Sequence, residues 1–180
     1  MNLEFQILNW LQTIHVPVLD KLMIAVTTLG NGGVFWICLI VVMIAIPKTR
    51  KVGIIMAVSL LIEFVLCNLL LKPAVGRIRP YEVNSSINLL VSPPGDASFP
   101  SGHAGASFAT VSAMFFAGCR VWIPTAVLAV LIAFSRLYLY IHYPTDVLAG
   151  MVLGIVCGWA GNRLIMVIDR KLKDRKVAEK

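Results

Sequence analysis

Five long apolar segments, at 34–47, 52–71, 103–119, 121–141 and 145–168, leave this chain very few ways to fold. A bilayer span needs about 20 mostly apolar residues, within a range of roughly 17–25. Inside hydrocarbon, backbone N–H and C=O groups must be satisfied within the segment, which makes each span a helix. Composition agrees: 58% of the residues are hydrophobic and only 14% are charged, far more apolar than a soluble domain needs. The chain therefore reads as an all-α polytopic membrane helix bundle with about five transmembrane helices. Residues 18–29 are too short to join them. At about 1.5 Å per residue they reach only ~18 Å, and they carry Asp20 and Lys21. Together with residues 2–14, beyond Pro17, they read as two short N-terminal interfacial helices. "GNGG" at 30–33 breaks the chain before the first span. The expected organisation is one domain over 1–180: interfacial helices in 1–33, a transmembrane bundle over 34–168 that includes an active-site loop at 72–102, and a basic tail at 169–180.

The net charge of +7 is unevenly placed. It gathers in "KTRK" at 48–51, at Arg120 in the turn 119–121, and in the tail from Asp169 to Lys180. Basic residues mark the cytoplasmic side. Putting these three regions there is consistent with five spans, and it places the N-terminal helices, 72–102 and 141–145 together on the opposite face. No segment offers the basic face of a soluble nucleic-acid binder. The N-terminus lacks the basic start and long apolar core of a signal peptide. Cys38, Cys67, Cys119 and Cys157 sit in apolar runs without a CxxC, and read as buried free thiols. Loop 72–102 is long for a connector, and it carries Lys72, Arg77 and Arg79 where basic residues are disfavoured. Binding an anion supplies a reason.

Three polar clusters fall on that outer face. In "KPAVGRIRP", 72–80, Pro73 interrupts the helix as it leaves the membrane. A compact ammonium on Lys72 and a planar fork on Arg79 both suit phosphate, although snorkelling residues at a membrane edge make the same pattern. Asn68, one turn earlier, is placed either to orient Lys72 or to bond a neighbouring helix. In "FPSGHAGAS", 99–107, Ser101 suits an N-cap, helix-start amides attract anions, and Gly102 admits close backbone approach. His103 then stands in the first turn; a capped helix with an incidental histidine is the plainer reading. In "SRLYLYIHYPTDVLAG", 135–150, Arg136, His142 and Asp146 gather at a span edge. Four residues separate His142 from Asp146, so the carboxylate can hold one imidazole nitrogen and leave the other as a lone-pair donor. An Arg136–Asp146 ion pair is the structural alternative. His15, the third histidine, reads as a surface residue.

Other features read as packing. Gly150, Gly154 and Gly158, and likewise Gly105, Ala109 and Ala113, recur every four residues and let helices approach closely. Tyr81, Tyr138, Tyr140 and Tyr143 read as an interfacial aromatic belt. Glu63, an acid inside the second span, lies roughly 13 Å along a helix from Lys72, too deep for the phosphate.

The whole pattern is Lys72–x6–Arg79–Pro80, then Pro100–Ser101–Gly102–His103, then Ser135–Arg136–x5–His142–x3–Asp146. It resembles the three-part signature of the type-2 phosphatidic acid phosphatase family, over about residues 52–168, and the short chain resembles the compact bacterial members. The resemblance implies a metal-independent hydrolase of phosphomonoesters or diphosphates that needs no cofactor. It implies that His142 attacks phosphorus and becomes a phosphohistidine, that Asp146 holds His142, and that His103 protonates the departing oxygen. It assigns the grip on the phosphate oxygens to Lys72, Arg79, Arg136 and the backbone around Ser101–Gly102. The chemistry is coherent, since phosphoryl transfer rests on positioning and on charge stabilisation at the equatorial oxygens. Glu82 and Asp96 read as isolated, so the outer segments hold no carboxylate cluster for a metal.

By the same resemblance, the partners are a lipid phosphate substrate and membrane lipids. Undecaprenyl diphosphate is foremost, hydrolysed on the extracytoplasmic face of a bacterial plasma membrane, with the C-terminus cytoplasmic. Phosphatidylglycerophosphate, phosphatidic acid and diacylglycerol diphosphate are alternatives, because no residue pattern separates a polyprenyl chain from a diacyl tail. The oligomeric state is unknown from sequence. A rival of another class is a non-catalytic lipid-phosphate binder or transporter. Transporters show internal repeats and broken midplane helices, and no convincing repeat is present.

Overall fold

The computed structural model describes residues 3–178, and these fold entirely into helices and connecting turns, with no strand among them. Two helices, α1 (Leu3–Gln12) and α2 (Pro17–Gly30), precede a tight turn at Asn31–Gly33. α3 (Val34–Ala45) and α4 (Arg50–Phe64) follow. α4 continues as a π-helical stretch, Val65–Leu71, into the short α5 (Lys72–Val75). An irregular loop containing α6 (Pro80–Val83) leads to α7 (Gly102–Phe116), α8 (Trp122–Tyr138) and α9 (Pro144–Ala178). Three stretches are long and apolar enough to cross a membrane: Pro17–Ala45, Arg50–Val83 and Pro144–Arg175. α8 is apolar but shorter. The outward faces of α3, α4, α8 and α9 expose large apolar side chains such as Val41, Leu61, Val127 and Val152, as an integral membrane protein requires. Cys38 lies exposed on this outer surface, whereas Cys67 and Cys157 are buried; all four cysteines are free.

Several boundaries differ from the sequence reading for local reasons. The first crossing-length stretch includes α2, but it is not one rod. Gly32 and Gly33 adopt left-handed conformations, with φ of 58° and 68°, that other residues reach only at a cost. Pro73 does not end its helix. The preceding π-helical turns carry the chain through it, and the helix stops at Gly76, φ 59°, whose N–H caps the Lys72 carbonyl. α9 runs ten residues beyond the expected end at 168, because the basic stretch contains neither Gly nor Pro to stop it. Lys180 lies outside the described residues.

The small-residue stripes meet. α7 and α9 run side by side and form the most extensive helix pair. A methyl group on Gly150 would stand 2.4 Å from the Ser101 carbonyl oxygen, and one on Gly154 2.4 Å from that of Gly105. One on Gly158 would stand 2.8 Å from the Ala109 carbonyl oxygen. α4 joins the same seam, with Ser59 against Gly161 and Glu63 against Gly105. Around it, Trp36, Ile55, Met56, Met114 and Ile132 form the main apolar core. An ion pair between Lys51 and Asp169 ties the start of α4 to the C-terminal half of α9. At the opposite end, the 77–101 loop, the 139–143 turn and the ends of α1 and α2 come together.

The tyrosines and His15 belong to this end as packed residues. Tyr138 and Tyr140 are fully buried and Tyr143 nearly so, instead of forming a belt. α1 and α2 cover them: the Tyr138 hydroxyl donates to Asp20 (2.6 Å) and the Tyr140 hydroxyl to Asn9 (2.7 Å). His15 stacks on Tyr138 with ring centroids 4.1 Å apart, and its Nδ1 lies 3.3 Å from Asp20.

Candidate active site

The end of the bundle where the 77–101 loop and the 139–143 turn meet holds a cavity of about 870 Å³. Lys72, Arg79, Arg136, Gly102, His103 and His142 all line it, so residues separated by up to 70 positions converge on one space. Its lining also includes apolar side chains, Ile37 and Ile40 of α3 and Leu60, Leu61 and Phe64 of α4. Lys72, Arg79, Arg136 and His142 are each at most 7% exposed, and Asp146 is wholly buried. Three cations buried this deeply need anionic partners.

Asp96 is one of them. Its carboxylate accepts from Lys72 and, at 2.6 Å, from Arg79 Nη2; its backbone carbonyl accepts from Arg79 Nε at 2.8 Å. Partial burial acts to raise this carboxyl, but the bonds and charges of Lys72 and Arg79 outweigh it and hold the group down at about 2. Asp96 is therefore not isolated, as its position in the sequence suggests. Asn68 bonds the Phe64 carbonyl (3.4 Å), a helix-edge contact.

Arg79 also fixes the state of His142. Its Nη1 donates to the Ile141 carbonyl (2.7 Å) and lies 3.3 Å from His142 Nε2. A guanidinium can only donate, so Nε2 presents its lone pair to Arg79 on the cavity wall and Nδ1 carries the proton. Nδ1 faces Asp146 Oδ2 at 3.6 Å, which is an electrostatic contact and too long for a hydrogen bond. Nδ1 accordingly has no hydrogen-bond partner among the described residues. Burial pushes the His142 imidazole down to about 3; Asp146 pulls the other way, while Arg136 and Arg79 add to the lowering. The ring is thus neutral at neutral pH, with its one lone pair on Nε2 beside Arg79.

The turn that carries His142 is tightly determined. Two residues after α8, Tyr140 takes a left-handed conformation, φ 59°, which a non-glycine residue adopts at a cost of about 1–3 kcal/mol. Asp146, in the first turn of α9, accepts from the Tyr143 amide (2.9 Å), the Ser98 hydroxyl (2.5 Å) and Arg77 Nη1 (2.5 Å). It makes no pair with Arg136, which instead bonds Thr27 at 2.5 Å and leaves its Nε without a partner among the described residues.

Ser101 stands at the N-cap of α7 without a side-chain capping bond. Its amide donates to the Asp146 carbonyl (3.0 Å), and its buried Oγ has no partner among the described residues. Gly102 is near Lys72: a methyl group there would sit 4.0 Å from Nζ. His103 Nε2 donates to Asn31 Oδ1 at 3.0 Å, and its ring packs so closely on Gly30 that a methyl group there would lie 2.6 Å from Cδ2. Thr27, Gly30 and Asn31 thus shape the site although 1–33 reads as interfacial; "GNGG" was the one available signal. Glu63, set aside in the sequence reading for its depth, is on the wall of the same cavity. It is 1% exposed and its Oε1 has no partner among the described residues.

Comparison with known proteins agrees with this geometry. A model of the PAP2 superfamily matches residues 51–169. An undecaprenyl-diphosphatase of Sulfolobus acidocaldarius is 34% identical over 85% of this chain and 73% of its own length. A lipid A 4'-phosphatase of Bacteroides thetaiotaomicron is 33% identical over 97% of this chain and 80% of its own. The crystal structure of a transmembrane PAP2-type phosphatidylglycerolphosphate phosphatase from Bacillus subtilis superposes with a TM-score of 0.71 at 29% identity, covering 92% of this chain and 84% of that one. With a cavity lined by three buried cations and two histidines, and with this kinship, the chain belongs to the PAP2 superfamily and is a membrane phosphatase.

Proposed function

We propose that this protein hydrolyses a lipid phosphate or diphosphate without a metal, through a phosphohistidine on His142, and that undecaprenyl diphosphate is its preferred substrate. The observation that carries the reading is the lone pair of His142 Nε2, held 3.3 Å from Arg79 inside a cavity lined by three cations. A phosphoryl group entering this space meets a nucleophile and charge stabilisation together. Nε2 forms a bond to phosphorus as the bond to the leaving oxygen breaks, and His103 gives that oxygen a proton. His103 then takes a proton from a water that attacks phosphorus, releasing inorganic phosphate and restoring Nε2. Nδ1 keeps its proton throughout, facing Asp146. Lys72, Arg79 and Arg136 hold the equatorial oxygens, with the Ser101 hydroxyl and the amides that open α7 as further donors. Binding draws Lys72 and Arg79 from Asp96 toward the substrate.

The apolar α3 and α4 side chains in its lining support a lipid tail in the same cavity. The polyprenyl choice rests on the undecaprenyl-diphosphatase likeness. Five spans, built on α3, α4, α7, α8 and α9, cross a bacterial plasma membrane in this reading. α1, α2 and the cavity lie on the extracytoplasmic side, and the α9 end lies in the cytoplasm, as the basic residues near Lys51 and Asp169 favour.

The test is phosphate release by purified protein in excess chelator, across undecaprenyl diphosphate, phosphatidylglycerophosphate, phosphatidic acid and diacylglycerol diphosphate. The expected result is highest kcat/KM on undecaprenyl diphosphate and none with His142→Ala. Loss of all turnover in chelator would refute the metal-free reaction, and a preference for a diacyl substrate would refute the polyprenyl assignment.

A further inference from the structure

The family match begins at residue 51, so α1 lies outside it. Nevertheless α1 reaches the back of the site. Glu4 Oε2 accepts from Arg77 Nη2 at 2.6 Å, and Glu4 Oε1 accepts from the Thr145 hydroxyl, also at 2.6 Å. Arg77 Nη1 turns the other way and donates to Asp146 Oδ1 at 2.5 Å and to Thr145 at 2.7 Å. Its guanidinium carbon lies 3.9 Å from the ring centroid of Tyr143, and Phe5 meets the same ring edge-on at 5.6 Å. None of Glu4, Arg77 or Asp146 lines the cavity.

From this arrangement we infer that Glu4 and Arg77 are positioning residues for phosphoryl transfer, forming an alternating charge chain, Glu4–Arg77–Asp146, that ends against Nδ1 of His142. The inference rests on the proposed reaction at His142. Asp146 stands 3.6 Å from Nδ1, so it influences the ring through charge and placement. Both depend on what holds Oδ1. Arg77 alone would draw the carboxylate's charge away from His142; Glu4 offsets Arg77 and keeps Asp146 anionic in effect. As Nε2 bonds to phosphorus the ring gains positive charge, which an anionic Asp146 stabilises. The chain therefore acts in the transition state and not on the bound ground state, so its loss falls on kcat. The geometry requires a fork. A lysine at 77 reaches one carboxylate but cannot bridge two, because it is a point charge on a flexible stem.

The experiment uses the full chain and a short-chain lipid phosphate in detergent. Glu4→Gln and Arg77→Lys each lower kcat by about tenfold or more and leave KM within about twofold. The double variant is no slower than Arg77→Lys alone, because both changes cut the same link. A merely structural role for α1 would lower thermal stability and the yield of active protein without this kcat–KM split or this non-additivity. Wild-type kcat in Glu4→Gln, or losses that multiply in the double variant, would overturn the inference. Should Arg77→Lys fail to fold, the isosteric Glu4→Gln decides alone by its kcat–KM split. An inactive wild-type protein would instead refute the underlying phosphatase reading.

Discussion

Asp146 Oδ2 lies 3.6 Å from His142 Nδ1 while bonded by the Ser98 hydroxyl and the Tyr143 amide. The carboxylate is thus fixed before any ligand arrives, and the histidine is held in one tautomer by charge from behind and Arg79 from the front. Replacing Asp146 by Asn keeps the shape but removes that charge. Turnover should fall by roughly a hundredfold or more, by analogy with other oriented histidines. Steady-state kinetics check this; near-normal kcat would mean that the carboxylate is only structural.

The buried His142 also predicts a pH dependence of stability. The imidazole's ordinary value is 6.5, and the folded site pushes it down to about 3. Between these values the unfolded chain binds a proton that the folded chain refuses. Stability from this group is complete above 6.5 and declines as pH falls toward 3. The thermal midpoint should drop on acidification from about pH 7 to about pH 4, and His142→Gln should flatten the slope. Equal slopes in the two proteins would assign the acid sensitivity elsewhere.

Gly30 makes a sharper test of the N-terminal contribution. A methyl group there would sit 2.6 Å from His103 Cδ2, so Gly30→Ala must displace the ring. A shift of about 1 Å at a reacting group can cost on the order of a hundredfold. The expectation is a large loss of kcat with little loss of thermal stability, read by kinetics and melting side by side. Unchanged kcat would show that His103 tolerates the move.

The α7–α9 seam predicts a stability effect instead. A Cβ on Gly154 would stand 2.4 Å from the Gly105 carbonyl oxygen, and backbone cannot swing aside. Gly154→Ala should destabilise by about 1–3 kcal/mol. Gly95→Ala, where nothing lies within 4 Å, should be neutral. Thermal melting in detergent distinguishes the two, and equal midpoints would contradict the close approach.

These residues show what a sequence can carry. Apolar segments and small-residue stripes are periodic, so the helices, the Gly150–Gly154–Gly158 contact and the convergence of Lys72, Arg79, His103, Arg136 and His142 at one end of the bundle were legible. The partners were not. Asp96 meets Lys72 across an irregular loop that has no period. Thr27, Gly30 and Asn31 gain their meaning only once α2 packs on α8 and the two left-handed glycines turn the chain toward His103. The tyrosines looked like a belt because aromatic residues at a span edge favour an interface; α1 and α2 cover them, and the composition of those helices does not announce that role. Helix limits shifted at Pro73 and beyond Ile168 because π-helical geometry and a stop-free basic stretch overrode the local signals.

Trapping the covalent intermediate bears most directly on His142. Protein mixed with a lipid phosphate labelled on phosphorus and quenched within a turnover should carry an acid-labile, base-stable label, and peptide mapping should place it on His142. His142→Ala should carry none, and His103→Ala should both gain and lose the label slowly, because the leaving oxygen lacks its acid and the attacking water its base. Label on another residue, or full turnover by His142→Ala, would contradict the account.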